Sequence, residues 1–198
     1  MEDKSSGKRD RALRALIIIL CLGPLLYLIL LALTGSLGAN PIEKLIRLTG
    51  TYTYHFIILT LAVTPVYDIL KINHVQRYKK TFGLFSFFYA SLHFMLYAGV
   101  DHFFNFMEIF EDMIKHKRIY AGVGAYLILI PLAVTSTNWA KRTLCGGRWR
   151  GLHRLFYLSA IAAAAHYLLL VKRDLKEPAI YAAIVLLLLL YRLRHIRT

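Results

Sequence analysis

The sequence predicts an all-α integral membrane protein, a six-helix transmembrane bundle with both termini in the cytoplasm. Three observations carry this prediction. Of 198 residues, 58% are apolar and 18% charged, with a mean hydropathy of +0.51, whereas soluble domains run at about 45–50% apolar. Six stretches approach the roughly 20 apolar residues that a helix needs to cross a bilayer. The cations fall in short clusters between those stretches, a membrane pattern rather than the basic face of a nucleic-acid-binding domain.

The first span is residues 16–33. Its apolar run is too long for a signal-peptide core and no A-x-A site follows before Gly35, so it reads as a retained helix. Residues 52–70, 82–100, 119–134 and 152–171 form the next four spans. The sixth, 179–191, is short. Pro178 suits its first helical position, and Tyr191, Arg192 and Arg194 can snorkel at its far end. Pro24, Pro65 and Pro131 lie inside apolar runs, where each frees a backbone carbonyl that neighbouring helices must satisfy. No internal repeat is visible, and no loop is long enough to fold alone. One transmembrane domain therefore covers 1–198.

Loop charge sets the orientation. With the N-terminus inside, the inner segments hold 17 of the 25 Lys and Arg, and the outer segments hold 8. That asymmetry places both termini in the cytoplasm. The inner count includes Lys4, Lys8, Arg148, Arg150, Arg154, Arg194 and Arg197, and the outer count includes Lys172 and Arg173. The acids Asp101, Glu108, Glu111 and Asp112 gather in one outer loop. Cys21 and Cys145 lie in different segments, outside any CxxC pair, so no disulfide framework or structural zinc site is indicated.

Eight histidines are many for a small membrane protein, and ionisable groups inside spans default to functional candidates. His74, His102, His116 and His195 fall in loops or at ends. His55 lies near the outer start of the second span, where a polar residue is ordinary. His93 sits roughly 16 Å into the third span at 1.5 Å per residue. His166 lies about 20 Å along the fifth span from His153. His93 and His166 therefore share a depth in the outer half, and two imidazoles facing each other across a bundle can clamp a haem iron axially. His153, at the inner mouth of the fifth span, is about 140° out of alignment with His166 on an ideal helix. It would ligate a second haem with a different axial partner, or stabilise an anionic cofactor group. Arg148, Arg150 and Arg154 surround it, and guanidinium suits propionate or phosphate; positive-inside anchoring explains them equally well.

Phe82, Phe85, Phe87, Phe88, Tyr89, Phe94 and Tyr97 crowd the third span. They would line a macrocycle or simply pack. Tyr52, Tyr54, Trp139 and Trp149 read as interfacial belt residues. There is no GxGxxG after a strand and no P-loop. The only acid within a span is Asp68, near an end, so no hydrolytic triad is suggested.

The segments GANPIEKLIRLTG, LTLAVTP, FGLFSFFYASLHFMLY, KRIYAGVGAYLILIPLAVTST, RWRGLHRLFYL and HYLLLVK occur in order over nearly the whole chain. In these the chain resembles the MsrQ family, haem-binding membrane subunits of the periplasmic protein-methionine-sulfoxide reductase system, within the ferric-reductase-like transmembrane group. YASLHF carries His93, GLHRLFYL carries His153 and AAAHYLLLVK carries His166, the family's three haem-associated histidines. The resemblance implies haem b, one or two, and in some members FMN. It implies electrons arriving from the quinone pool or a cytoplasmic flavin reductase. They would leave to a periplasmic molybdopterin-containing reductase that repairs oxidised envelope proteins, the chain sitting in the bacterial inner membrane. Fuller ferric reductases carry two histidines in the third span and a C-terminal flavin and nicotinamide domain. This chain has one histidine there and lacks that domain, which puts a second bis-histidine haem in doubt. The competing readings are a stand-alone minimal ferric or quinone-linked reductase and, from another class, a cofactor-free small transporter. The chain lacks the paired broken helices expected of the last.

Overall fold

A computed structural model describes residues 4–171 and 175–196, with side chains from 8 to 171 and 175 to 193. Lys172, Arg173 and Arg197 of the charge count lie outside the described residues, as do the side chains of Lys4, Arg194 and His195. Among the described residues all regular structure is helical. The helices are α1 (Lys4–Leu33), α2 (Pro41–Leu70), α3 (Lys79–Met95), α4 (Phe106–Lys115), α5 (Lys117–Val134), α6 (Asn138–Thr143), α7 (Cys145–His153), α8 (Leu155–Leu170) and α9 (Lys176–Ile196). A 3₁₀ turn, Asn73–Tyr78, precedes α3, and a π-helical segment, Leu96–Asp101, follows it.

Among the described residues four stretches are long and apolar enough to cross a bilayer: Lys8–Leu33, Pro41–Leu70, Asn73–Asp101 and Lys117–Val134. The chain is a membrane protein. α8 has 16 residues, about 24 Å, short of the roughly 30 Å hydrocarbon core. The backbone between α7 and α8 stays in the right-handed helical region at Arg154 (φ −67°, ψ −22°), so the two helices follow one another with a single-residue break. His153 consequently ends α7 instead of opening the long fifth helix expected from the sequence.

Helix α2 begins eleven residues before the expected span, and its first turn explains why. Asn40 Oδ1 accepts from Glu43 N at 3.3 Å while its Nδ2 donates to Glu43 Oε2 at 2.8 Å, a reciprocal cap of the capping-box kind with Pro41 in the first turn. Hydropathy alone passes over those polar turns. At the other end Lys71 turns left-handed (φ 55°) and returns its N–H to Tyr67 O.

The packing is pairwise. α2 lies along α3, and α5 lies along α8. α9 covers α2 and α8, burying Val185 against Tyr54, Ile57, Leu61 and Ala160. The α5–α8 seam is built from small residues, and Ser159 Oγ donates to Ala125 O at 2.9 Å. Close helix approach of this kind is how helices associate in lipid, where apolar burial offers little drive. α1 is peripheral, yet Tyr89 of α3 ties it down. The Tyr89 hydroxyl donates to Cys21 O at 2.9 Å and accepts from Leu25 N at 3.0 Å. Those two groups would otherwise bond each other, so the ring has entered the helical ladder beside Pro24 and satisfies both sides of the opening.

Candidate functional site

The interior of the bundle contains two cavities at opposite ends, of about 690 and 620 Å³. The buried side chain Leu129 lines both and stands between them. The first lies at the α4 end, the second at the end of α6 and α7.

His93 and His166 both line the first cavity. Their ring centroids are 6.2 Å apart with planes at 74°. The depth match expected from helical rise is met, and so is the approach of the two side chains from different helix pairs. Each ring is seated in the same way. His93 Nδ1 lies 2.8 Å from Ile46 O on α2, and His166 Nδ1 lies 2.6 Å from Arg118 O at the start of α5. A carbonyl only accepts, so Nδ1 carries the proton in both rings and donates it. Nε2 is left with its lone pair.

Four residues beyond each carbonyl stands a glycine. A Cβ on Gly50 would meet the His93 ring at 3.1 Å, and one on Gly122 would lie 2.7 Å from His166 Nδ1. Both helices give up a side chain at the one point where an imidazole presses against the backbone. The device is used twice, on α2 toward α3 and on α5 toward α8, although no sequence repeat encodes it.

This donor set decides which group fits. Among the described residues no three His, Cys, Asp or Glu side chains converge on a point, so a closed multi-ligand metal site is not built here. Two imidazoles supply two positions only. Their 6.2 Å centroid spacing leaves room between the rings for one metal ion at bonds of about 2.0–2.1 Å to each. A cofactor bringing its own equatorial ligands completes that set, and the cavity has the size of a cofactor pocket. The walls between the histidines are apolar, with Ile57, Ala90, Phe94, Tyr126 and Ala163 among them. Of the crowded third-span aromatics, Phe94 and Tyr97 reach this cavity. Phe85, Phe88 and Tyr89 instead pack with Phe56, Tyr89 stacking on it at 5.2 Å and 5°.

His153 is elsewhere. It lines the second cavity, where its Nε2 lies 3.1 Å from Thr135 Oγ1 and its ring stacks on Trp149 at 4.0 Å. Arg150 and Arg154 line that cavity too, with Lys79, Lys80, Lys141 and Arg192. Arg148 does not line it. Among the described residues no carboxylate lines it, which makes it a cationic chamber with an aromatic face. Trp149 and Tyr54 correct the belt assignment. Trp149 donates Nε1–H to Thr135 O at 2.9 Å, and Tyr54 is buried in the α2–α8–α9 core. Trp139 is exposed, as a belt residue should be.

Sequence reasoning missed Gly50, Gly122 and the two carbonyls. The available signal was a glycine inside a helical run, which costs about 1 kcal/mol against alanine and so marks a close approach.

Residues 49–164 match the ferric reductase like transmembrane component family. The chain is 41% identical over 190 residues to the protein-methionine-sulfoxide reductase heme-binding subunit MsrQ of Caulobacter vibrioides, covering 96% of this chain and 90% of that protein. The MsrQ of Rhodospirillum rubrum is 43% identical, covering 93% and 89%. That of Herminiimonas arsenicoxydans is 42% identical, covering 91% and 84%.

Proposed function

The chain belongs to the MsrQ family within the ferric-reductase-like transmembrane group, and from that premise we propose that it is a haem b electron-transfer subunit of the bacterial inner membrane. It carries electrons from the quinone pool or a cytoplasmic flavin reductase to a periplasmic molybdopterin-containing reductase. That partner performs the methionine-sulfoxide chemistry. The single observation supporting this most strongly is the pairing of His93 with His166, each with Nδ1 bound to a backbone carbonyl.

In this reading His93 and His166 would hold the haem through Nε2, the nitrogen that the carbonyls leave free. The carbonyls of Ile46 and Arg118 hold each ring in its tautomer and raise its basicity, as second-shell acceptors do for metal-bound histidine. Haem held by these two histidines would supply a one-electron couple. The apolar wall keeps water from the group, and Gly50 and Gly122 give the rings their room.

The second cavity is the donor side. Arg150 and Arg154, joined by Arg148 from outside the wall, receive the anionic part of the donor or of a bound cofactor, a flavin phosphate or a propionate. His153 either ligates a second haem or hydrogen-bonds such a group. One domain spans the chain, with α8 continued from α7, and α9, as the fifth and sixth crossings and both termini cytoplasmic. The first cavity then opens toward the periplasm.

The test is a reduced-minus-oxidised absorption spectrum of the detergent-purified chain, with haem and flavin quantified per chain. A b-type spectrum that disappears in His93→Ala and in His166→Ala is expected. A colourless protein after haem supplementation overturns the reading. Two haems per chain would give His153 an iron of its own.

A further inference from the structure

Helix α4 has three distinct faces. Ile109 is buried at 7% exposure, against the neighbouring α5. Glu108, Glu111, Asp112 and Lys115 occupy a second arc, and Asp112 Oδ2 lies 3.3 Å from the Tyr97 hydroxyl and 3.7 Å from His102 Nε2 beside the first cavity. Between these lies a third face of Phe106, Met107, Phe110 and Ile114. They are 75%, 68%, 58% and 70% exposed and fall within about 100° of arc at 100° per residue.

Four large apolar side chains on one stripe of a surface helix need cover. The position of α4 says what covers them. It joins the end of one bilayer-crossing stretch, Asn73–Asp101, to the start of the next, Lys117–Val134, so both its ends lie at the same membrane boundary. Its 10 residues reach about 15 Å and cannot cross. The flanking spans also expose large apolar side chains, Met95 and Val100 before α4 and Tyr120 and Leu127 after it. The entry to α4 is held at a conformational cost. Phe103 and Phe104 are both left-handed (φ 48° and 56°), a region that non-glycine residues seldom adopt, and the Phe104 ring closes on Gly99, where a Cβ would lie 2.8 Å away.

We propose that α4 is an interfacial helix lying in the plane of the membrane, with Phe106, Met107, Phe110 and Ile114 sunk among the lipid acyl chains of the adjoining leaflet. Within the polar face Glu108 and Asp112 lie against the protein's own His102, Asp112 also accepts from Tyr97, and Glu111 pairs with Lys115. The bilayer thereby fixes the acidic arc beside the first cavity. The inference stands on α4 and its flanking spans and is independent of what the cavity binds.

The full chain in phosphatidylcholine–phosphatidylglycerol vesicles provides the test. Nitroxides are placed through Phe106→Cys, Phe110→Cys, Glu108→Cys and Glu111→Cys in a Cys145→Ser background, Cys145 being exposed and Cys21 buried. Collisions with oxygen should exceed those with a water-soluble nickel chelate several-fold at 106 and 110, with the reverse at 108 and 111. Phe110→Trp in a Trp139→Phe background, read as the quenching by brominated phosphatidylcholine beyond that of the background alone, checks the same point with a smaller perturbation. Nickel access at 106 and 110, with no quenching by brominated lipid, would place the helix in water and overturn the proposal. Low access to both probes there would mean that a protein surface, a second copy or another chain, covers the face, and would overturn it too.

Discussion

The two cavities use histidine in opposite ways. At the α4 end, His93 and His166 are half-buried, donate Nδ1–H to main-chain carbonyls and stand 6.2 Å apart. At the other end, His153 meets a threonine hydroxyl and a tryptophan face among cations from α3, α6, α7 and α9. The first arrangement is rigid, because backbone carbonyls in packed helices cannot turn away. The second is built from long charged side chains and suits an anion. A histidine's task is set by what holds its other nitrogen.

Removing the paired donors breaks that comparison most sharply. His93→Ala and His166→Ala are each expected to lose most of the haem, while His153→Ala keeps the spectrum of the first site; haem per chain by pyridine extraction decides it. If His153→Ala emptied the protein as thoroughly as the others, the division between the cavities would be wrong. Next come the glycines. Gly122→Ala puts a methyl 2.7 Å from His166 Nδ1, and Gly50→Ala puts one 3.1 Å from the His93 ring. Disturbing such a second-shell contact typically costs about 10–100-fold in metal affinity. Gly122→Ala should show the larger loss in a haem titration of the apoprotein, together with a shifted midpoint potential.

Changing the cationic end tests the comparison from the other side. Arg150→Gln with Arg154→Gln should leave the haem held by His93 and His166 in place and slow its reduction by an added flavin or quinol donor several-fold. An unaltered stopped-flow reduction rate would remove these residues from the donor site. The smallest effect is expected far from both cavities. Tyr89→Phe deletes the hydroxyl bridging Cys21 O and Leu25 N, and intramembrane side-chain hydrogen bonds are worth about 0.6 kcal/mol on average. Thermal unfolding in detergent should move slightly downward, and the haem spectrum should stay in place.

Helical class, four of the six expected apolar spans and the approach of His93 to His166 were legible in the chain, because hydropathy and a fixed rise per residue are local properties. The boundaries of α2 and the break at Arg154 were less so. The first depends on Asn40 and Glu43 pairing across one polar turn, and the second on one residue in a run whose composition reads as continuous. The roles of Tyr54 and Trp149 were misjudged because aromatic belt residues and buried aromatics have the same composition.

What the sequence by itself determined is a helical membrane protein with two histidines at one depth and a third at another. Depth follows from counting, and membrane affinity follows from transfer free energy summed along the chain. Only the tertiary structure decided that Gly50 and Gly122 stand against those two histidines, that Ile46 and Arg118 hold their protons, and that His153 belongs to a separate, cationic cavity. Those are contacts between residues 47, 48 and 18 positions apart. They depend on the rotation and spacing of whole helices, which helix–helix packing fixes.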